Sequence, residues 1–163
     1  MLLSTQSARL AYRFGTRRML IAGMTAVTLA MLYFVRLPPH AMYLADLLPG
    51  FIALAIGMGL GFFSVTVAAT NGVANDQQGV ASGLINTSGQ IGSALGLAVL
   101  ISVGASAATL ATSSGEADPS VVWLVAFRAA HAFGAGLAAI ALLVAVLAVR
   151  PELSSDQGGP AFK

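Results

Sequence analysis

Ser82, Asn86, Gln90 and Ser93 are the residues best placed to do chemistry, because they recur at helical spacing within an otherwise apolar run. At about 100° per residue they share an arc of roughly 80°, and Gly89, Gly92 and Gly96 lie beside them within about 60°. Two carboxamides and two hydroxyls supply neutral donors and acceptors, neither charge nor a strong nucleophile. Such a stripe suits hydrogen bonding to a neighbouring helix, or the lining of a cavity that receives varied ligands. The glycines beside it read as packing and gating elements, since Gly92-x-x-x-Gly96 lets helices cross at close range. Other chemistry is sparse. The sequence has no nucleophile elbow, metal-ligand cluster, phosphate-binding loop or paired carboxylates, and no cysteine. It therefore predicts no catalytic residue, no metal, no cofactor and no enzyme activity. Arg128 and His131 share a helix face. They read either as a proton relay or anion contact, or as an arginine reaching an interface with the imidazole packed behind it.

The elements that must position these residues are set by hydropathy. Charged residues make up 9% of the chain and the mean hydropathy is +0.85, too apolar for a water-soluble surface. Four uncharged stretches, Met19–Val35, Leu47–Asn75, Gly79–Gly115 and Ala129–Val149, approach or exceed the roughly 20 residues that cross a bilayer as a helix. The expected fold is all-α, a polytopic membrane helix bundle. Its four transmembrane helices are expected at about 19–36, 46–70, 79–104 and 129–149, the residues 1–18 forming a basic cytoplasmic loop and 150–163 a disordered cytoplasmic tail. Arg9, Arg13, Arg17 and Arg18 precede the first span, and Arg150 and Lys163 follow the last. Cytoplasmic loops retain such bases, so both termini are expected in the cytoplasm of a multi-pass cell (inner) membrane protein. The net charge of +2 then reports sidedness and contact with the lipid bilayer, and no basic–aromatic pattern suggests nucleic acid.

The spans differ in texture. Span one is bulky all round, which predicts extensive lipid contact. Span two carries Gly50, Ala53, Gly57, Gly61, Ser64, Ala68 and Asn71 on one small-residue face, with Gly57 and Gly61 at its centre as packing residues and Asn71-Gly72 as a stop signal. Asn75 or Asp76 is placed to cap span three. Val121–Phe127, with Trp123, reads as an interfacial segment before Arg128. No Asp or Glu lies in the middle of a span, Asp46 and Asp76 standing at span ends, so a proton-coupling carboxylate would have to be elsewhere.

The run Gly79-Val-Ala-Ser-Gly-Leu-Ile-Asn-Thr-Ser-Gly-Gln-Ile-Gly-Ser-Ala-Leu-Gly-Leu-Ala-Val99 is similar to a segment near the end of major facilitator superfamily transporters. Its best match is the fourteen-span drug:proton antiporter branch. Gly57-Met-Gly-Leu-Gly-Phe-Phe-Ser64 fits the preceding helix, and Phe127-Arg-Ala-Ala-His-Ala-Phe133 looks like the start of the final span. Upstream, Arg9, Arg13, Gly15, Arg17 and Arg18 resemble the family's basic cytoplasmic loop motif. Ala8 and Tyr12 stand where that motif has Gly and Asp, so the pairing role of the Asp is not carried over. The resemblance implies the carboxyl-terminal part of a multidrug-type efflux transporter that works by proton-coupled alternating access and is inactive on its own. The partners it implies are the missing remainder of the transporter, protons, and small hydrophobic or cationic molecules. By that likeness, spans two and three line or gate the cavity and spans one and four are peripheral. The alternative is a non-transporting small membrane protein that associates with a full-length transporter through the small-residue face of span two.

Overall fold

Residues that favour helix in an apolar setting produce helices throughout. The computed structural model describes residues 15–70, 73–74 and 76–148, and all regular structure among them is helical. Helix α1 spans Thr16–Val35, and a π-helical turn at Tyr43–Leu47 runs into α2 at Leu48–Thr70. Helix α3 spans Gln78–Ser113 and α4 spans Pro119–Ala148. All four are long and apolar enough to cross a membrane. The basic residues Arg9 and Arg13, Asn71-Gly72, Asn75 and the 150–163 tail lie outside the described residues.

The π turn solves a local problem. Pro49 has no N–H and would disrupt a regular helix interior. The wider turn before it lets the Leu48 N–H reach the Tyr43 carbonyl, while the Asp46 carboxylate accepts from the Met42 N–H at 2.7 Å.

Helix α1 packs against both α2 and α4 and is the most buried of the four, whereas α3 is the least. The evenly bulky first span therefore does not face lipid all round. Met19, Leu20, Gly23, Ala30 and Phe34 are buried along it, and Gly23 is the reason α2 comes so close. A Cβ on Gly23 would stand 2.8 Å from the Gly61 nitrogen and 2.9 Å from the Gly57 oxygen. One on Gly57 would stand 2.8 Å from the Val27 nitrogen. The two backbones thus touch, which only glycine permits. Farther along, Gly50 lies under the ring of Phe34, whose atoms would be 2.6 Å from a Cβ there. Ser64 is fully buried on the same face, its hydroxyl donating to the Leu60 carbonyl at 2.7 Å. From Gly50 to Gly61 the small-residue face of α2 is filled by α1.

Helix α4 lies antiparallel to α1, fastened at both ends by arginine. Arg17 Nη2 donates to the Val146 carbonyl at 2.8 Å, within the last turn of α4. Arg128 Nε donates to the Leu37 carbonyl at 3.2 Å, with a second, shorter bond from its Nη2. Each guanidinium meets a carbonyl at or just past a helix carboxyl terminus, where acceptors are unpaired and the helix dipole is negative.

A five-residue connection, Ser114–Asp118, turns α3 into α4. Gly115 adopts φ +95°, its N–H bonds the Thr112 carbonyl at 3.1 Å, and the Glu116 N–H bonds the Ala111 carbonyl at 3.1 Å. These are the two bonds of a glycine-terminated helix end. Asp118 then caps α4, accepting from the Ser120 N–H at 2.9 Å and hydroxyl at 2.7 Å, ahead of Pro119 at the first helical position. Helix α3 accordingly continues past Gly104 to Ser113, and α4 starts at Pro119, ahead of residue 129. Val121–Phe127 is helix. These caps set the ends, and Arg128 does not interrupt the apolar helix.

Candidate functional site: a wedge between α3 and α4

The carboxyl-terminal half of α3 and the amino-terminal half of α4 are joined. A Cβ on Gly104 would stand 3.3 Å from the Ala126 oxygen and 3.8 Å from the Ala130 Cβ. Below that, Leu100 reaches to 3.5 Å from the corresponding point on Gly134, beside Met31 of α1. An apolar groove of about 560 Å³ runs along this contact, lined by Leu97, Leu100, Ala108, Trp123, Phe127 and His131 among others.

His131 is held at the edge of the groove. Its Nδ1 bonds the Phe127 carbonyl at 2.8 Å; a carbonyl only accepts, so Nδ1 carries the proton. Its ring lies 3.9 Å from that of Phe127 and 5.1 Å from that of Phe34. Phe34 is fully buried and also contacts Phe51, at 5.1 Å. These rings and the Arg128–Leu37 bonds close the end of the bundle formed by α1, α2 and α4.

Toward the other end the two helices part. The α3 face that carries Leu100 and Gly104 continues downward as Ser93, Gln90, Asn86 and Ser82, on the same arc of roughly 80°. All four are exposed. The α4 face that carries Ala126, Ala130 and Gly134 continues as Leu137, Ala141 and Val144, also exposed, Leu137 at 44% and Val144 at 55%. Faces in register that touch above and stand exposed below define a wedge. One wall is carboxamide and hydroxyl, the other is hydrocarbon, and neither carries a charge. Continued at helical rise, the Gly104 contact sets Asn86 roughly level with Val146, at the Arg17 end of the bundle.

The serine hydroxyl nearest the junction is partly engaged, since Ser93 donates to the Gly89 carbonyl at 2.7 Å. Around Gly89 and Gly92, both exposed, and around Gly96 no heavy atom lies within 4 Å of a Cβ position. Gly57 and Gly61 differ, both being in the α1–α2 contact. Gly15, of the basic loop motif, has φ +77° just before α1. Arg17 fastens α1 to α4, and Arg18 is exposed. The Arg17 Nε is buried without a hydrogen-bond partner among the described residues. Among the described residues no cluster of ligating side chains could hold a metal.

Sequence reasoning missed Gly23 and the α4 wall. The signal for Gly23 was its spacing to Ala30 and Phe34 within a bulky span. Leu137, Ala141 and Val144 are indistinguishable by type from lipid-facing residues, and only the path of α3 sets them apart.

Comparison with known proteins gives the wedge a context. No protein-family model and no solved structure matches the chain. It is 35% identical over 147 residues to a puromycin resistance protein of Streptomyces alboniger, covering 87% of this chain and 29% of that protein. It is 33% identical over 140 residues to a lincomycin resistance protein of Streptomyces lincolnensis, covering 86% of this chain and 26% of that protein. With a cephamycin export protein of Amycolatopsis lactamdurans it shares 38% over 106 residues, 61% of this chain and 22% of that protein. The chain spans under a third of the length of each of these curated relatives. Most of this four-helix chain is thus related to a part of larger antibiotic resistance and export proteins.

Proposed function

We propose that this chain is the carboxyl-terminal part of a multidrug-type efflux transporter of the major facilitator superfamily, of the fourteen-span drug:proton antiporter branch. It exports small hydrophobic or cationic molecules by proton-coupled alternating access, seated in the cell membrane with both ends cytoplasmic. The observation that carries this reading is the uncovered polar face of α3. Asn86 and Gln90 are exposed on a helix whose composition suits lipid, where an unpaired carboxamide is costly. A wet cavity, completed by further helices, relieves that cost. The relatives' names, which specify resistance to puromycin and lincomycin and export of cephamycin, support small-molecule export. Their greater length supplies the helices. In this arrangement Ser82, Asn86, Gln90 and Ser93 face substrate. Gly89, Gly92 and Gly96, open here, receive a helix of the remainder.

No Asp or Glu lies within the described length of α1, α2, α3 or α4, so the proton-coupling carboxylate belongs to the remainder. The rival reading, a small membrane partner docking through the α2 small-residue face, loses its surface because α1 occupies it. On the proposed reading, cells expressing only these 163 residues do not extrude ethidium. Extrusion by them that an uncoupler abolishes would overturn the division of labour.

A further inference from the structure

The two walls of the wedge make incompatible demands on any single solvent. If α3 swung shut, Asn86 and Gln90 would press against Ala141 and Val144, whose side chains offer no hydrogen bond, while Leu137 would meet α3 nearer the junction, at about the level of Gly96. If acyl chains filled the gap, the same carboxamides would be stranded in hydrocarbon. Water alone would satisfy α3 and leave the α4 wall wetted. A molecule with a hydrogen-bonding edge and an apolar body satisfies both walls at once. Neither wall offers a counter-charge, and a desolvated ion without one is strongly disfavoured.

We infer that the wedge between α3 and α4 is a binding site for an uncharged amphipathic small molecule. Its polar edge lies along Asn86 and Gln90, and its apolar body lies against Leu137 and Val144. The inference rests on the proposed efflux reading and narrows it: this site takes neutral substrates, and selection for cations needs a carboxylate elsewhere. The carboxamides are versatile here, since each offers both a donor group and an acceptor oxygen. The α3–α4 junction at Gly104 closes one end of the site, so a ligand enters from the Arg17 end or sideways.

The chain has no cysteine, so single thiols can report occupancy. Chains carrying Leu137→Cys, or Leu143→Cys roughly 120° round α4 as a control, would be placed in phosphatidylcholine nanodiscs. Labelling by N-ethylmaleimide would be timed with and without Nile red, an uncharged amphipathic dye, and with ethidium, a cation. Nile red is expected to slow labelling at Leu137→Cys at least fivefold and to leave Leu143→Cys unchanged, while ethidium alters neither. Adding Asn86→Ala and Gln90→Ala should raise the Nile red concentration needed for protection roughly tenfold, the loss expected for two modest hydrogen bonds. Labelling without dye should stay the same, which checks that the fold survives. Equal protection at both thiols, protection indifferent to the carboxamides, or equal protection by ethidium would overturn the inference. So would a Leu137→Cys thiol that is unreactive without dye when this chain is joined to the remainder of a transporter, since protein would then fill the wedge. With the chain joined to the remainder of a transporter, efflux retained without Nile red protection would place the substrate elsewhere and overturn the inference. Protection without efflux in that joined protein would leave this site standing and remove the transport reading.

Discussion

At the scale of residues, the best-defined chemistry serves the ends of helices. Asp118 illustrates it. The Ser120 hydroxyl and then the Ser120 N–H donate to its carboxylate, and together they hold its pKa below the ordinary 3.8. A carboxyl whose folded value is depressed contributes stability above its unfolded value and loses that contribution as pH falls through the folded one. Asp118→Ala is therefore expected to lower the thermal midpoint of the chain at pH 7, with the gap from wild type narrowing as pH falls below 3.8. A gap of equal size at pH 3 and pH 7 would show that the charge is not what the cap uses. The cap, Pro119 and Gly115 follow ordinary rules of helix termination, yet the apolar run Val121–Phe127 drew attention to Arg128 as the boundary instead. Arg128 proved to be a fastening. A guanidinium in an apolar helix can reach lipid headgroups or a carbonyl, and the choice depends on where Leu37 lies.

At the scale of elements, glycine divides the helices into two kinds. Gly23, Gly57 and Gly61 are where α1 meets α2, and backbone atoms occupy the space a side chain at Gly23 or Gly57 would need. Gly89, Gly92 and Gly96 meet nothing within 4 Å. The chain alone should tell them apart. Gly57→Leu should cost about 3 kcal/mol or more by forcing α1 and α2 apart, whereas Gly92→Leu should leave stability within about 0.5 kcal/mol. Unfolding in detergent, followed by circular dichroism, measures both, and equal losses would contradict the division. The four-helix architecture was legible in the hydropathy, because long uncharged runs admit little else. The small-residue stripe of α2 was legible too, from its spacing. What it packs against was not, because a stripe records that something comes close without naming the neighbour. The bulk of Met19, Leu20 and Phe34 made α1 look like a lipid-facing helix and hid the one glycine that brings it against α2.

At the scale of the molecule, α1, α2 and α4 form a packed group and α3 stands out from it, held mainly along its carboxyl-terminal half. That division explains why the residues of greatest chemical interest are also the least covered. Ser82, Asn86, Gln90 and Ser93 could be picked out by type and period. The wall opposite them could not, because hydrophobic residues on α4 look the same whether they face lipid, helix or ligand. On the proposed reading, this chain supplies one wall of a transport cavity and a larger protein supplies the rest. The most direct measurement replaces the matching segment of the Streptomyces alboniger resistance protein with this chain and follows puromycin efflux from cells, with and without Asn86→Ala and Gln90→Ala. The chimera is expected to export the drug, and the carboxamide variants to change its export by about tenfold at unchanged abundance in the membrane. A chimera that inserts at normal abundance but exports nothing, or one whose export ignores both carboxamides, would contradict that reading.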